Sequence, residues 1–234
     1  MINKIGIICA SDTELEPFLK QIKITKTIDK TMLKFYQSNF LQFELIVVYS
    51  GVCKVNAAIA TQQLINLFNV DIIINAGTAG GIDESVQLFD TIITEKAIYH
   101  DVADDILTDF HPWLKSNYFN ADPSLINLIK SYYQESKYPL LFGTTVTGEQ
   151  FITNKNRTEI KLKYSPLSVD METASIGHVC YVNDVPFLAI RTITDTNKYQ
   201  GIENFELNCI KASSISAYIV FEFLTKLAAS LLVK

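Results

Sequence analysis

Four short segments of this 234-residue chain carry the residue types that acid and base chemistry requires, and each sits where an apolar run ends or a helix begins. Ser11-Asp-Thr-Glu14 follows an apolar segment; Ser11 with Glu14 three residues on reads as a capping box, which on local grounds explains both residues. Asn75-Ala-Gly-Thr-Ala-Gly-Gly81 closes a buried-type strand with three glycines and a threonine, suited either to a plain tight turn or to close approach of the backbone to a ligand. Val169-Asp-Met-Glu-Thr-Ala-Ser175 opens a helix. Asp170 and Glu172 point in different directions there and cannot both serve one atom, although both could complement the positive helix terminus. Arg191-Thr-Ile-Thr-Asp195 ends an apolar strand, and in open α/β sheets ligands bind at such carboxyl ends. An Asp so placed can donate a proton once its surroundings raise its pKa; the plain alternative is a turn or helix cap.

Other chemistries lack their patterns. The glycine spacing is not G-x-G-x-x-G, no G-K-[ST] follows it, and no G-x-S-x-G elbow is present. His100, His111 and His178 have neither each other nor a cysteine at metal-ligand spacing, so no metal is expected, and His178 reads as a packed helix residue.

The elements that must position the four segments come from hydrophobic periodicity. Strands are expected at 4–10, 43–49, 71–76, 91–97, 141–146 and 187–193, and helices at 54–68, 122–134, 171–182 and 207–232, with a long irregular loop at 101–123. The alternation implies an α/β class with a mixed sheet. No linker or repeat divides the chain, so one domain over 1–234 is expected. If the strand ends share one rim of that sheet, the candidate acids meet.

Composition narrows the partners. With 48% hydrophobic and 19% charged residues the chain has the makings of an ordinary globular core, and a net charge of −5 argues against binding nucleic acid or an anionic membrane. No unbroken apolar run exceeds five residues, against roughly 20 for a bilayer span. Cys9, Cys53, Cys180 and Cys209 are solitary, which suggests free thiols and a cytoplasmic location. Of the 20 basic residues only Arg157 and Arg191 are arginines; Arg157 lies in a polar stretch that reads as a solvated helix start, leaving Arg191 as the plausible anion ligand, with Lys54 as a second cation.

Together the motifs resemble the nucleoside phosphorylase/hydrolase superfamily, most closely the 5′-methylthioadenosine/S-adenosylhomocysteine nucleosidases. The resemblance spans nearly the whole chain, through Ile5-Gly-Ile-Ile with Glu14, Ser50-Gly-Val-Cys-Lys-Val-Asn-Ala-Ala58, the 71–82 block, Tyr99-His-Asp101, Thr147-Gly-Glu-Gln-Phe-Ile152, Val169-Asp-Met-Glu172, and Arg191-Thr-Ile-Thr-Asp195 with Phe205. It implies a three-layer α/β/α sandwich around a mixed twisted sheet, a homodimer, and hydrolysis of the N-glycosidic bond of an adenine nucleoside without metal or organic cofactor. By resemblance, Glu14 deprotonates the attacking water, Asp195 serves purine N7, and Glu172 binds the ribose hydroxyls, with Met171 on the sugar face. Phe151 stacks on adenine, Ile152 offers backbone contacts, Thr78 and Arg191 support Glu14, and Val52 and Phe205 meet the sugar and 5′ substituent. Ala79, Gly80, Asp170 and Thr194 complete the expected binding set.

The chemistry suits these residue types on its own terms. N-glycoside cleavage passes through an oxocarbenium-like sugar, so the leaving purine needs a proton and the ring needs negative charge nearby. Thr78 stands where the family often has Ser, Asp170 where it often has Glu, and Asp104-Asp-Ile-Leu-Thr-Asp-Phe-His-Pro-Trp113 replaces the family's usual 5′-pocket loop. The 5′ substituent is therefore open among methylthioadenosine, the homocysteine conjugate, 5′-deoxyadenosine and futalosine-type substrates. A phosphorylase and a catalytically silent nucleoside-binding protein are the competing readings.

Overall fold

β-branched apolar runs alternate with helical periods along this chain, and in the computed structural model they become strands and crossover helices in that order. The structure describes residues 2–232 apart from 112, 153, 200 and 201, without the side chains of 154 and 155. Among the described residues the elements are β1 (Lys4–Cys9), α1 (Asp12–Leu19), β2 (Ile24–Lys30), β3 (Leu33–Phe40), β4 (Phe43–Tyr49), α2 (Lys54–Phe68), β5 (Ile72–Gly81), β6 (Thr91–Tyr99), α3 (Ile106–Phe110), β7 (Tyr118–Asn120), α4 (Pro123–Lys130), β8 (Leu140–Thr147), α5 (Asn154–Tyr164), β9 (Ser168–Asp170), α6 (Thr173–Val182), β10 (Phe187–Asp195) and α7 (Ile202–Leu232).

The sheet is mixed. β2 and β3 form an antiparallel extension beyond β4, and β4, β1, β5 and β10 run parallel. β5 pairs with both β10 and β9, while β10, β6, β8 and β9 connect in turn, so five strands close on themselves at one end of the sheet. β1, β5 and β10 are buried almost throughout, as parallel strands covered on both faces must be. Helices α1 and α7 pack together on one face and α2 and α6 on the other, which gives the three-layer α/β/α arrangement. Full burial of Ile219, Phe223 and Leu224 ties α7 to the sheet, each contributing about 1.5–3 kcal/mol. α7 is long and apolar enough by composition to cross a membrane, yet more than half of its apolar stretch is buried inside the fold.

Several elements differ from the sequence expectation. The glycine-rich segment after Ala76 is not a turn: β5 continues through Gly81, paired with β10 and then β9. The β2–β3 hairpin was missed because β2 is an exposed strand without an apolar face. The 101–123 loop holds the short α3 and β7, with residue 112 outside the described set. α4 stops at Lys130 ahead of a separate 3-10 turn, α6 begins at Thr173, and α7 begins at Ile202.

Candidate active site

The carboxyl ends of β1, β5 and β10, together with β9 and the start of α7, surround a cavity of about 220 Å³. All of the residues picked out above line it: Glu14, Val52, Thr78, Ala79, Gly80, Phe151, Ile152, Asp170, Met171, Glu172, Arg191, Thr194, Asp195 and Phe205. Ala10, Ser11, Gln150, Val169 and Ile202 also line it and were not anticipated. Ser11, Gln150 and Val169 lie inside the recognised motifs and Ala10 and Ile202 outside them, and only the fold shows which of them turn inward.

Glu14 enters from the first turn of α1. Ser11 caps that helix by accepting from the Glu14 amide at 3.3 Å, but the reciprocal half of the capping box is absent. The buried Glu14 carboxylate instead accepts from the Ala10 amide at 2.7 Å through Oε2, and from the Thr78 amide at 2.7 Å and hydroxyl at 2.8 Å through Oε1. These donors fix one orientation of a group that would otherwise be solvated.

The glycines of β5 make room for carboxylates. A Cβ built on Gly77 would stand 2.4 Å from the Glu14 carboxyl carbon, and one on Gly80 would stand 3.1 Å from Asp195 Oδ2. Gly77→Ala is therefore expected to push Glu14 off Thr78 and Ala10 and to lower unfolding stability by roughly 1–3 kcal/mol, the usual overpacking range. Calorimetry on the purified variant checks it, and an unchanged unfolding midpoint would contradict the packing described here.

Asp170 ends β9 and Glu172 is the N-cap of α6, so neither lies on the expected helix, and both carboxylates reach Arg191. Asp170 Oδ1 accepts from the Thr147 hydroxyl at 2.7 Å and the Thr173 amide at 3.1 Å, and Oδ2 accepts from the Thr173 hydroxyl, so this carboxylate organises the start of α6. Asp170 thus forms cavity wall, with its carboxylate engaged by the start of α6 and by Arg191. Glu172 turns into the cavity and accepts from the Cys53 amide at 2.9 Å.

Arg191 is buried among acids. Its Nη2 donates to Glu172 Oε2 at 3.0 Å, its Nε lies 3.4 Å from Asp170 Oδ2, and Nη1 donates to Asn75 Oδ1 at 3.2 Å. Desolvation disfavours its charge, but Glu14, Asp170 and Glu172 more than restore it, leaving the guanidinium firmly protonated. Three carboxylates share this one cation. Burial raises the Glu172 pKa, Arg191 opposes the rise, and repulsion from Asp170 and Glu14 reinforces it. A cavity with such an acidic excess favours a cationic guest. Arg191 is committed to two carboxylates, which corrects the reading of it as a free anion ligand.

Asp195 ends β10, buried, with the Thr194 hydroxyl donating to Oδ1 at 3.0 Å. Its pKa is raised above the ordinary carboxylate value by burial, against opposing pulls from Thr194 and Arg157. The expectation of a solvated Arg157 was wrong: the side chain is 5% exposed, donates to the Gly81 carbonyl, and lies 3.6 Å from Asp195. The Lys-rich surroundings of Arg157 concealed this, because its partners come from β5 and β10. At the mouth, Phe151 and Phe205 meet edge to face at 6.2 Å, with Val52 exposed beside them. Lys54 is paired with Asp101 at 2.9 Å, outside the cavity lining. Among the described residues no cluster of His, Cys, Asp and Glu has the arrangement of a metal site.

Acids from α1, from the start of α6 and from the end of β10 line one hollow with aromatic rings at its rim, an arrangement suited to acid and base chemistry on a bound small molecule. The chain belongs to the phosphorylase superfamily, whose family model matches residues 4–225. It is similar along its length to the 5′-methylthioadenosine/S-adenosylhomocysteine nucleosidases of Buchnera aphidicola, 34% identical with 97% of this chain and 98% of the relative covered, and of Staphylococcus carnosus, 32% identical with 95% and 100% covered. The solved S-adenosylhomocysteine nucleosidase of Streptococcus pyogenes, in complex with 5-methylthiotubericidin, superposes with a TM-score of 0.87 at 28% identity over 95% of this chain and 96% of that one.

Proposed function

We propose that this protein hydrolyses the N-glycosidic bond of 5′-methylthioadenosine and S-adenosylhomocysteine, releasing adenine and the corresponding thioribose. The observation that carries this reading is the convergence of Glu14, Glu172 and Asp195 on one cavity. Asp195, kept able to hold a proton by burial, gives it to purine N7 as the C1′–N9 bond breaks. Glu172 accepts hydrogen bonds from the ribose hydroxyls and, with Glu14, places negative charge beside the cationic sugar. Glu14, held by Thr78 and Ala10, takes a proton from the water that attacks C1′ on the face opposite adenine. Phe151 and Phe205 cover the base and the 5′ side.

Water rather than phosphate as nucleophile follows from the cations. Arg191 is paired with Glu172 and Asp170, Arg157 with Asp195, and Lys54 with Asp101, so a phosphate dianion entering the cavity would meet carboxylates. The test is chromatography of adenine from methylthioadenosine incubated in phosphate-free buffer. Release at a rate unaffected by added phosphate is expected. No adenine, or release only with phosphate and with formation of a sugar 1-phosphate, would overturn the proposal. Parallel incubations with 5′-deoxyadenosine and a futalosine-type nucleoside rank the 5′ substituents.

The working form proposed is a cytoplasmic homodimer. Val55 and Ile59 of α2, Tyr181 of α6, and Phe110 and Trp113 beside them are exposed apolar residues, and the neighbouring α2 and α6 faces suit a second copy of the chain. Free Cys9, Cys53, Cys180 and Cys209 suit a reducing compartment. Light scattering at twice the chain mass and cell fractionation check the two statements.

A further inference from the structure

Asp195 is backed by a cation. Arg157 reaches it from α5 with Nη2 3.6 Å from Oδ2, while Nη1 donates to the Gly81 carbonyl. The guanidinium is not part of the cavity lining, so it acts on a bound nucleoside only through Asp195. Its Nε is buried without a hydrogen-bond partner. A buried cation with an unmet donor is unfavourable by itself, and a negative charge on Asp195 would offset it. From β10 Asp195 meets the Thr194 hydroxyl, and from β5 the backbone of Gly80 and Gly81; neither is titratable. Asp170, Glu172 and Arg191 form their own ion-paired network elsewhere in the wall, and Glu14 is held by the Ala10 and Thr78 donors. Arg157 is thus the charged partner of Asp195 among the described residues.

We propose that Arg157 is the positioning residue that sets the acid strength of Asp195 during glycosidic cleavage, an inference that rests on the hydrolytic reading above. As the C1′–N9 bond breaks, its electron pair goes to the purine and the Asp195 proton moves to N7, leaving neutral adenine and a carboxylate on Asp195. Water adds its oxygen to C1′ and gives its proton to Glu14, which balances the step. The new negative charge appears 3.6 Å from a guanidinium already in place, so the pair is stronger in the transition state than in the ground state. An opposite charge at this range lowers a carboxyl pKa by about 1–3 units. Without Arg157, Asp195 would hold its proton to higher pH but release it less readily.

The test compares Arg157→Gln and Arg157→Lys with wild type, measuring kcat and KM for methylthioadenosine against pH. Asp195 is titrated directly by ¹³C NMR of carboxyl-labelled Asp, its signal assigned by loss in Asp195→Asn. For Arg157→Gln, plateau kcat is expected to fall about tenfold with a much smaller change in KM. The alkaline limb and the Asp195 titration should both move up by about 1 pH unit or more. Arg157→Lys, with the charge on a different reach, should fall between Arg157→Gln and wild type, and it serves alone if Arg157→Gln does not fold. A side chain that only ties α5 to Gly81 would lower the unfolding midpoint while leaving limb and titration where they are, and that result overturns the inference. If wild type releases no adenine, the hydrolytic reading fails; the NMR titration then decides the Arg157 coupling separately, an unmoved Asp195 signal counting against it.

Discussion

Asp195→Asn is expected to lower kcat for methylthioadenosine by a factor on the order of 10²–10⁴, the contribution typical of a positioned general acid, while the nucleoside still binds. The amide keeps the size of the carboxyl and can still accept from Thr194, but it has no proton of suitable acidity for N7. The pH dependence has a definite sign. Burial raises the Asp195 pKa, so the protonated, donating form persists above the usual carboxylate range, and wild-type activity should decline as pH rises through that raised value. In Asp195→Asn this alkaline limb should vanish from the residual rate. Initial rates and equilibrium binding measured on the same preparation separate the two effects; an unchanged kcat would remove Asp195 from the reaction. Above the Asp195 pKa the variant leaves Arg157 without its anionic partner, so the unfolding midpoint measured there is also expected to fall, and retained ligand binding is the control for folding.

Glu14→Gln should have an effect of similar size, on the order of 10²–10⁴ in kcat, for a different reason. The Glu14 carboxylate accepts from three donors, the Ala10 amide and the Thr78 amide and hydroxyl. A glutamine offers one oxygen and one NH₂, so one set of those donors meets another donor, and no base remains to take the proton of the attacking water. Single-turnover measurement of adenine release is the direct check, since binding and chemistry then appear as separate phases. A variant with wild-type single-turnover rate would mean that water is activated elsewhere. Restoring the carboxylate at shorter reach with Glu14→Asp should recover only part of the loss, because Thr78 and Ala10 hold the carboxylate at the longer reach.

Local sequence carried some of this design and hid the rest. The strand at Phe43–Tyr49 and the helix at Lys54–Phe68 were legible to the residue, because a short apolar run with Ile46, Val47 and Val48 at its centre and a sustained helical period each have one reading. The separation of Asp170 from Glu172 was read from helix spacing, but Asp170 ends β9 and Glu172 precedes α6; Thr147 and Thr173 tie Asp170 to the helix start, while both carboxylates reach Arg191. The glycines after Asn75 allowed either a turn or a close approach of the backbone; in the fold β5 stays extended, and Glu14 and Asp195 occupy the space that side chains at Gly77 and Gly80 would fill. Arg157 misled most, since a guanidinium in a Lys-rich helix looks solvated until Gly81 and Asp195 arrive from distant strands. Burial of a charge is a tertiary fact. The four motifs could be found singly in the chain, but their meeting around one cavity required the parallel run of β1, β5 and β10.

The most direct measurement follows a single turnover of methylthioadenosine by the wild-type protein in phosphate-free H₂¹⁸O, with mass spectrometry and early-time NMR of the sugar. One ¹⁸O at C1 of the thioribose, none in adenine, and the α-anomer appearing first are expected of water delivered by Glu14 to the face opposite a purine held by Asp195. Intact nucleoside, or sugar formed only once phosphate is supplied, would contradict it.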